Sequence, residues 1–243
     1  MGTSLFTEDQ VKAIIKACAE DWAYGTSLCF KFLNTDDPGR NQADIRFLFQ
    51  GRGSWHVIGT TFVQFGQPTT DIGPKGIITQ AQITRKVLRD FGHALGFHHD
   101  HSSPNCPLHS DRGTIMKHCK GTSPKGIALV DWVDMNFKKL QNGGGIEASS
   151  FDEQSIMLYT ILPTWNHEGI YVKGSSVLSD MDREMARKWY LPRTIRRSSK
   201  SSLSSSFAKK GTRFSMIGRR RSPLAQYDEC IVVGGFRCDK RDC

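Results

Sequence analysis

Between Thr7 and Ala23 the apolar residues Val11, Ile14, Ile15, Cys18, Ala19 and Trp22 recur at helical spacing. They predict an amphipathic helix with Thr7 as its N-cap. Strands are expected at Leu28–Leu33 and Ala43–Phe49, the second carrying Ile45, Phe47 and Phe49 on one face. The turn residues Asp36, Asp37, Pro38 and Gly39 separate them. Gly51–Gly53 reads as a turn, Trp55–Gly59 as a short strand, Thr70–Gly76 as loop and Ile77–Ile78 as a brief edge strand. Thr79–Leu95 is expected to be a helix stopped by Gly96. His98–Pro124 has loop chemistry, and Ile127–Leu140 is a further helical pattern. Gly143–Gly145 is a flexible break and Ser155–Leu162 a short compact segment. The last helix is expected at Ser179–Tyr190, capped by Ser179 or Asp180 and followed by Pro192.

The pattern changes after Pro192. Arg193–Arg221 holds no acidic residue, and seven of the nine residues Ser198–Ser206 are serine. Such a stretch cannot bury enough apolar surface to offset its ordering entropy, so a disordered basic linker is expected over 193–226. Residues 227–243 form a short cysteine-containing tail, with an apolar run at Cys230–Val233. The tail is expected to be removable without loss of the fold. The folded domain is therefore set at 1–192.

Charge sharpens this division. Residues 193–243 contain 13 Lys/Arg and 4 Asp/Glu, which accounts for the whole net charge of +9 of the 243-residue chain. The preceding residues balance at 20 basic and 20 acidic, so only the tail offers electrostatic attraction to nucleic acid, and that weakly. No apolar run is long enough to span a bilayer, and no membrane partner is expected. The first residues lack a basic stretch followed by an apolar one, so no secretory leader is read in the chain. Seven cysteines without a CxxC argue against a structural zinc ribbon; Cys106 and Cys119 could bridge a loop.

The chemistry lies in Arg89-Asp90-Phe91-Gly92-His93-Ala94-Leu95-Gly96-Phe97-His98-His99. A zinc hydrolase needs three protein ligands, an open position for water and a carboxylate beside that water. Ligands at i and i+4 share one helix face, and a glycine beyond the second can turn the chain toward a third. This stretch resembles the HExxHxxGxxH helix of the metzincin zinc endopeptidases. His93 matches the second zinc ligand, Gly96 the turn glycine and His99 the third ligand. Ser155-Ile156-Met157-Leu158-Tyr159 resembles the Met-turn of the astacin-like branch, with Met157 beneath the metal and Tyr159 able to ligate zinc or stabilise the oxyanion. Ala43–Arg46 and Gly51–Gly59 resemble the strands before the site helix, and Leu178–Tyr190 the closing helix. The similarity runs from about Thr7 to Pro192.

The resemblance implies an α/β (α+β) metzincin-type fold: a twisted mixed sheet, a site helix and a lower subdomain carrying the Met-turn and closing helix. It implies peptide-bond hydrolysis by zinc-activated water, peptide or protein substrates in a cleft between the two parts, and a family that is usually secreted. A monomer is expected.

Two departures fall on the reacting groups. Arg89 stands where the family has its first ligand His, and a guanidinium offers no lone pair to a metal. Asp90 stands in place of the general-base Glu and is one methylene shorter. The sequence therefore predicts weakened or absent zinc binding and an impaired or inactive peptidase. The alternative is a pseudopeptidase that binds peptides or proteins without cutting. Asp90 has two readings, recruitment as a metal ligand or pairing with Arg89 or a neighbouring His. Arg89 could replace zinc structurally through an ion pair with Asp90 or Asp100. His98, His101, His109 and His118 are expected at the surface.

Overall fold

Helix α1 (Glu8–Ala23) starts at a reciprocal capping box: the Thr7 hydroxyl accepts from the Gln10 N–H and the Gln10 side chain accepts from the Thr7 N–H. Its buried residues are Val11, Ile14, Ile15, Cys18, Ala19 and Trp22, the stripe that the periodicity marked. Helix α2 (Gln80–Ala94) opens on the same kind of box at Thr79 and Gln82. It ends where Gly96 takes φ +93°, a conformation that side chains with a Cβ rarely adopt. The two helices are docked by the buried Trp22 Nε1, which donates to the Leu88 carbonyl at 2.9 Å. These relations come from a computed structural model that describes residues 6–34, 36–40, 43–48, 55–59, 68–72, 79–123, 126–143, 145–190 and 231–234.

The sheet is mixed. Its strands are β1 (Lys31–Leu33), β2 (Ile45–Leu48), β3 (Trp55–His56), β4 (Thr70–Asp71) and β5 (Ile231–Gly234), in the order β1-β5-β2-β4-β3. Strands β2 and β4 are parallel, and the other pairings are antiparallel. Beyond the sheet lie α3 (Arg112–His118), α4 (Leu129–Phe137) and α5 (Asp180–Trp189).

Two apolar clusters make the core. One joins α1, α2 and the sheet through Trp22, Phe47, Val87 and Phe91; the other gathers Leu108, Ile115, Val133, Phe137 and Val172. The Ser155–Tyr159 turn belongs to both, with Ile156 and Met157 in the first cluster and Leu158 in the second. Asp182 of α5 holds this turn, accepting from the Ser155 hydroxyl and the Ile156 N–H, each at 2.8 Å. Through Ala186 and the preceding Leu178, α5 packs on the first cluster.

Several local expectations are revised. Leu28–Leu33 keeps only Lys31–Leu33 as strand, and Ala43–Phe49 keeps Ile45–Leu48, with Arg46 buried between its apolar neighbours. A strand, β4, occurs at Thr70–Asp71 in the expected loop, because β2 and β3 pair with it from both sides. The loop-like composition of His98–Pro124 conceals α3, capped by Asp111, whose side chain accepts from the Thr114 N–H at 3.0 Å. Cys106 and Cys119 are both free and buried, so they form no bridge. Cys18 is also free, and burial pushes its thiol up to about 12. Phe49, Gly51–Gly53, Ile77–Ile78 and the linker 193–226 lie outside the described residues.

The largest revision concerns the end of the chain. Ile231–Gly234, expected to stand apart from the body, occupies the sheet between β1 and β2. Cys29, two residues before β1, is disulfide-bonded. Deleting 191–243 therefore removes the strand that joins β1 to β2. Relative to the full chain, we expect the truncated protein to lose at least about 5 °C in thermal midpoint. Removing a strand paired on both sides costs at least about 2 kcal/mol, and each kcal/mol moves the midpoint by roughly 2–4 °C at this size. Unchanged unfolding on truncation would show that the body holds without β5.

Candidate metal centre and its surroundings

The site forms where the last turns of α2 meet β3, β4 and the Ser155–Tyr159 turn. Strand pairing sets His56 opposite Thr70. The loop after β3 is then tied to α2, because the Gly59 N–H donates to the His93 carbonyl at 2.7 Å. These two restraints lay the His56 ring on that of His93, with centroids 3.5 Å apart and planes 4° from parallel. His99 follows the Gly96 turn and meets His93 edge-on at 4.7 Å. One ring nitrogen from each of His56, His93 and His99 lies within 4.8 Å of the other two.

The chemistry of these nitrogens fits a metal. His93 Nδ1 faces the Phe97 carbonyl at 2.9 Å, which makes it the protonated nitrogen and leaves Nε2 with a lone pair. Nε2 of His93 and Nε2 of His99 are both buried without a hydrogen-bond partner. A buried polar atom left unpaired is costly, and two facing one space are the expected mark of a site that a cation satisfies. Burial holds both imidazoles well below the ordinary histidine range, and burial together with the Arg89 charge lowers His56 to about 4. All three rings are therefore neutral at pH 7, the form that binds metals.

Arg89, at the first-ligand position, does not enter this space. Its Nε donates to the Ile156 carbonyl at 3.2 Å and its Nη2 to the Leu158 carbonyl at 3.0 Å. The guanidinium lies 4.6 Å from the centre of the Tyr159 ring. The expected ion pair with Asp90 or Asp100 is replaced by bonds to carbonyls of the turn that links the two cores.

Asp90 is buried, and its Oδ2 accepts from the Thr70 hydroxyl at 2.7 Å. Its Oδ1 lies 3.8 Å from His56 Nδ1. Asp90 therefore lies beside a histidine, at a distance longer than a hydrogen bond. Its carboxylate is not among the atoms that converge with His93 and His99. Desolvation raises this carboxyl to about 7, so opposite a neutral His56 the contact is a polar one and not a full ion pair.

Met157 is buried beneath the site helix, so close to Gly92 that a Cβ there would come within 2.4 Å of the Met157 sulfur. Glycine at 92 is thus required by this approach. The Tyr159 ring packs on His99 at 4.4 Å, but its hydroxyl donates to Asn136 Oδ1 at 3.0 Å. His101, expected at the surface, is buried against Tyr159 with Nε2 2.7 Å from the Asn136 carbonyl. His98, His109 and His118 are exposed as expected. Behind His99 a cavity of about 380 Å³ extends between Asp100, Asp152, Asp182 and Tyr190.

Sequence reasoning missed His56 and Thr70. His56 stood inside a segment read only as a strand. The usable signal was a histidine on a strand next to a site helix that lacks one ligand.

Comparison with known proteins bears on the fold. Among solved structures the chain is similar to myroilysin, at a TM-score of 0.63 and 27% identity over 78% of this chain and 89% of that one. A crystal structure of myroilysin gives 0.53 and 26% over 78% and 80%. High choriolytic enzyme 1, a hatching enzyme zinc-protease of the medaka fish Oryzias latipes, gives 0.52 and 15% over 77% and 86%, a likeness of fold alone. Among curated proteins, Protein SpAN of Strongylocentrotus purpuratus is 30% identical over 95 residues, which span 38% of this chain and 14% of that protein. No family model matches the chain. The fold is α+β, of the metzincin type with astacin-like neighbours.

The clamp made by Arg89 is open to test. Arg89→Leu leaves the Ile156 and Leu158 carbonyls without their donor. We expect a loss of about 1.5–3 kcal/mol in chemical denaturation, the range for charged hydrogen bonds. A loss below about 0.5 kcal/mol would show that the turn does not depend on it.

Proposed function

We propose that the protein is a zinc-binding metalloendopeptidase-type domain whose peptide hydrolysis is impaired. The observation that carries this reading is the pair of buried, unpartnered Nε2 atoms of His93 and His99, beside His56, in a zinc-protease fold. Zinc, when bound, supplies a Lewis acid that polarises a peptide carbonyl and activates water.

The chain's own residues support binding more fully than turnover. His93 is fixed in the ligating tautomer by Phe97. Met157 supports the helix from below in the manner of a Met-turn, and Tyr159 flanks His99. The general-base role is poorly served. Asp90 is one methylene shorter than Glu, and its Oδ2 already accepts from Thr70. Tyr159 would have to leave Asn136 before stabilising an oxyanion. These two restraints favour the second reading as well, a pseudopeptidase that holds a peptide without cutting it. The disulfide at Cys29 supports action in an oxidising compartment.

The purified full chain is expected to retain about one equivalent of zinc through dialysis against metal-free buffer. Its casein turnover should fall about 10²–10⁴-fold below that of an active zinc protease of the same fold, the usual loss for a missing general base. Chelation should abolish the residual activity, and so should His93→Ala. Absence of zinc would remove the metallopeptidase reading. Stoichiometric zinc with no cleavage and measurable peptide binding would establish the pseudopeptidase.

A further inference from the structure

We propose that His56 is the third metal ligand of this chain, replacing the ligand lost at position 89, and that Asp90 is its positioning residue. The inference rests on the zinc reading above and specifies how the site is completed.

Three observations carry it. Among the described residues, His56, His93 and His99 are the group whose potential ligand atoms converge, within 4.8 Å of one another. Nitrogens around a tetrahedral zinc are about 3.3 Å apart for bonds near 2.05 Å, so side-chain rotation suffices to close the set. The parallel His56 and His93 rings must splay to do so, and His56 has room to move because its side chain keeps 18% of its surface exposed.

Second, a carboxylate stands behind His56, just beyond hydrogen-bond distance. The ring Nδ1 faces Asp90 Oδ1 at 3.8 Å, while Asp90 is itself anchored by the Thr70 hydroxyl. Thr70 is the residue paired with His56 across β3 and β4, so one strand pairing positions both the ring and the anchor of its carboxylate. Histidine ligands commonly give their second N–H to a carboxylate, which fixes the tautomer and aims the other nitrogen at the metal. With Nδ1–H directed to Asp90, His56 presents Nε2, the same atom that His93 and His99 leave unpartnered.

Third, Arg89 leaves the ligand space free, although its charge still reaches the three rings and disfavours positive charge there. Its guanidinium is spent on the Ile156 and Leu158 carbonyls. The two altered positions of the helix thus take new work: Arg89 braces the turn, and Asp90 moves from base to support of a ligand on another element.

The test measures metal and not turnover. Zinc affinity of the full chain is determined by chelator competition for wild type, His93→Ala, His56→Ala, Asp90→Ala and Asp90→Asn, with circular dichroism confirming the fold of each. Loss of a ligand should weaken zinc at least about 100-fold, and loss of the supporting carboxylate about 10–100-fold. We expect His56→Ala to fall with His93→Ala, Asp90→Ala to be intermediate, and Asp90→Asn to recover part of the loss, because its carbonyl still accepts the ring N–H. The visible spectrum of the cobalt-loaded Asp90→Ala protein should differ from wild type at saturating metal, which a role in folding alone would not produce. Wild-type affinity in His56→Ala, with loss in His93→Ala, would overturn the inference and leave the zinc reading standing. Loss in His56→Ala with unchanged affinity and cobalt spectrum in Asp90→Ala would overturn the positioning role. No zinc in wild type would instead defeat the reading on which the inference rests.

Discussion

The last turns of α2 are enclosed by α1, the sheet and the Ser155–Tyr159 turn, and that desolvation governs the rest of the structure. Water is excluded there, so each polar atom needs a protein partner or an ion. Asp90 obtains Thr70, Arg89 obtains two carbonyls, and His93 obtains the Phe97 carbonyl. What remains after this pairing is the Nε2 of His93 and of His99. The site is built from ring nitrogens that this pairing leaves over, and its chemistry is set by which those are.

The same enclosure explains how the helix accommodates an arginine at position 89 within this architecture. Arg89 puts its long apolar stem and its donors to use in the packing between the two cores, bonded to the turn that both share. Met157 against Gly92 and Asp182 against Ser155 and Ile156 fix that turn from two further directions. The fold is held by contacts that do not require the metal.

Much of this was legible in the sequence. Helices α1, α2 and α5 announce themselves through caps at Thr7, Thr79 and Ser179 and through apolar periodicity, because local chemistry determines where they begin and which face they bury. His93 and His99 were readable from their spacing around Gly96. Strands of two to four residues were less so: β4 at Thr70–Asp71 exists only because its neighbours pair with it. Strand β5 is joined to β1 and β2 from nearly two hundred residues away along the chain, and its local mark, the apolar run at Cys230–Val233, does not name those partners. The environment of His101 came from the fold around Asn136, not from its own segment. His56 fell between these cases, since its residue type was visible but its partner strand was not. Arg89 and Asp90 were legible as departures, and their new roles depended on tertiary neighbours.

In the proposed metal centre, three histidines from two elements and a following turn complete one ligand set. X-ray absorption spectroscopy at the zinc edge, on the zinc-loaded full chain, addresses it most directly. The account predicts three imidazole nitrogens at about 2.0–2.1 Å with the multiple-scattering pattern of histidine rings. A shell with two or fewer imidazoles, filled out by oxygen, would contradict it.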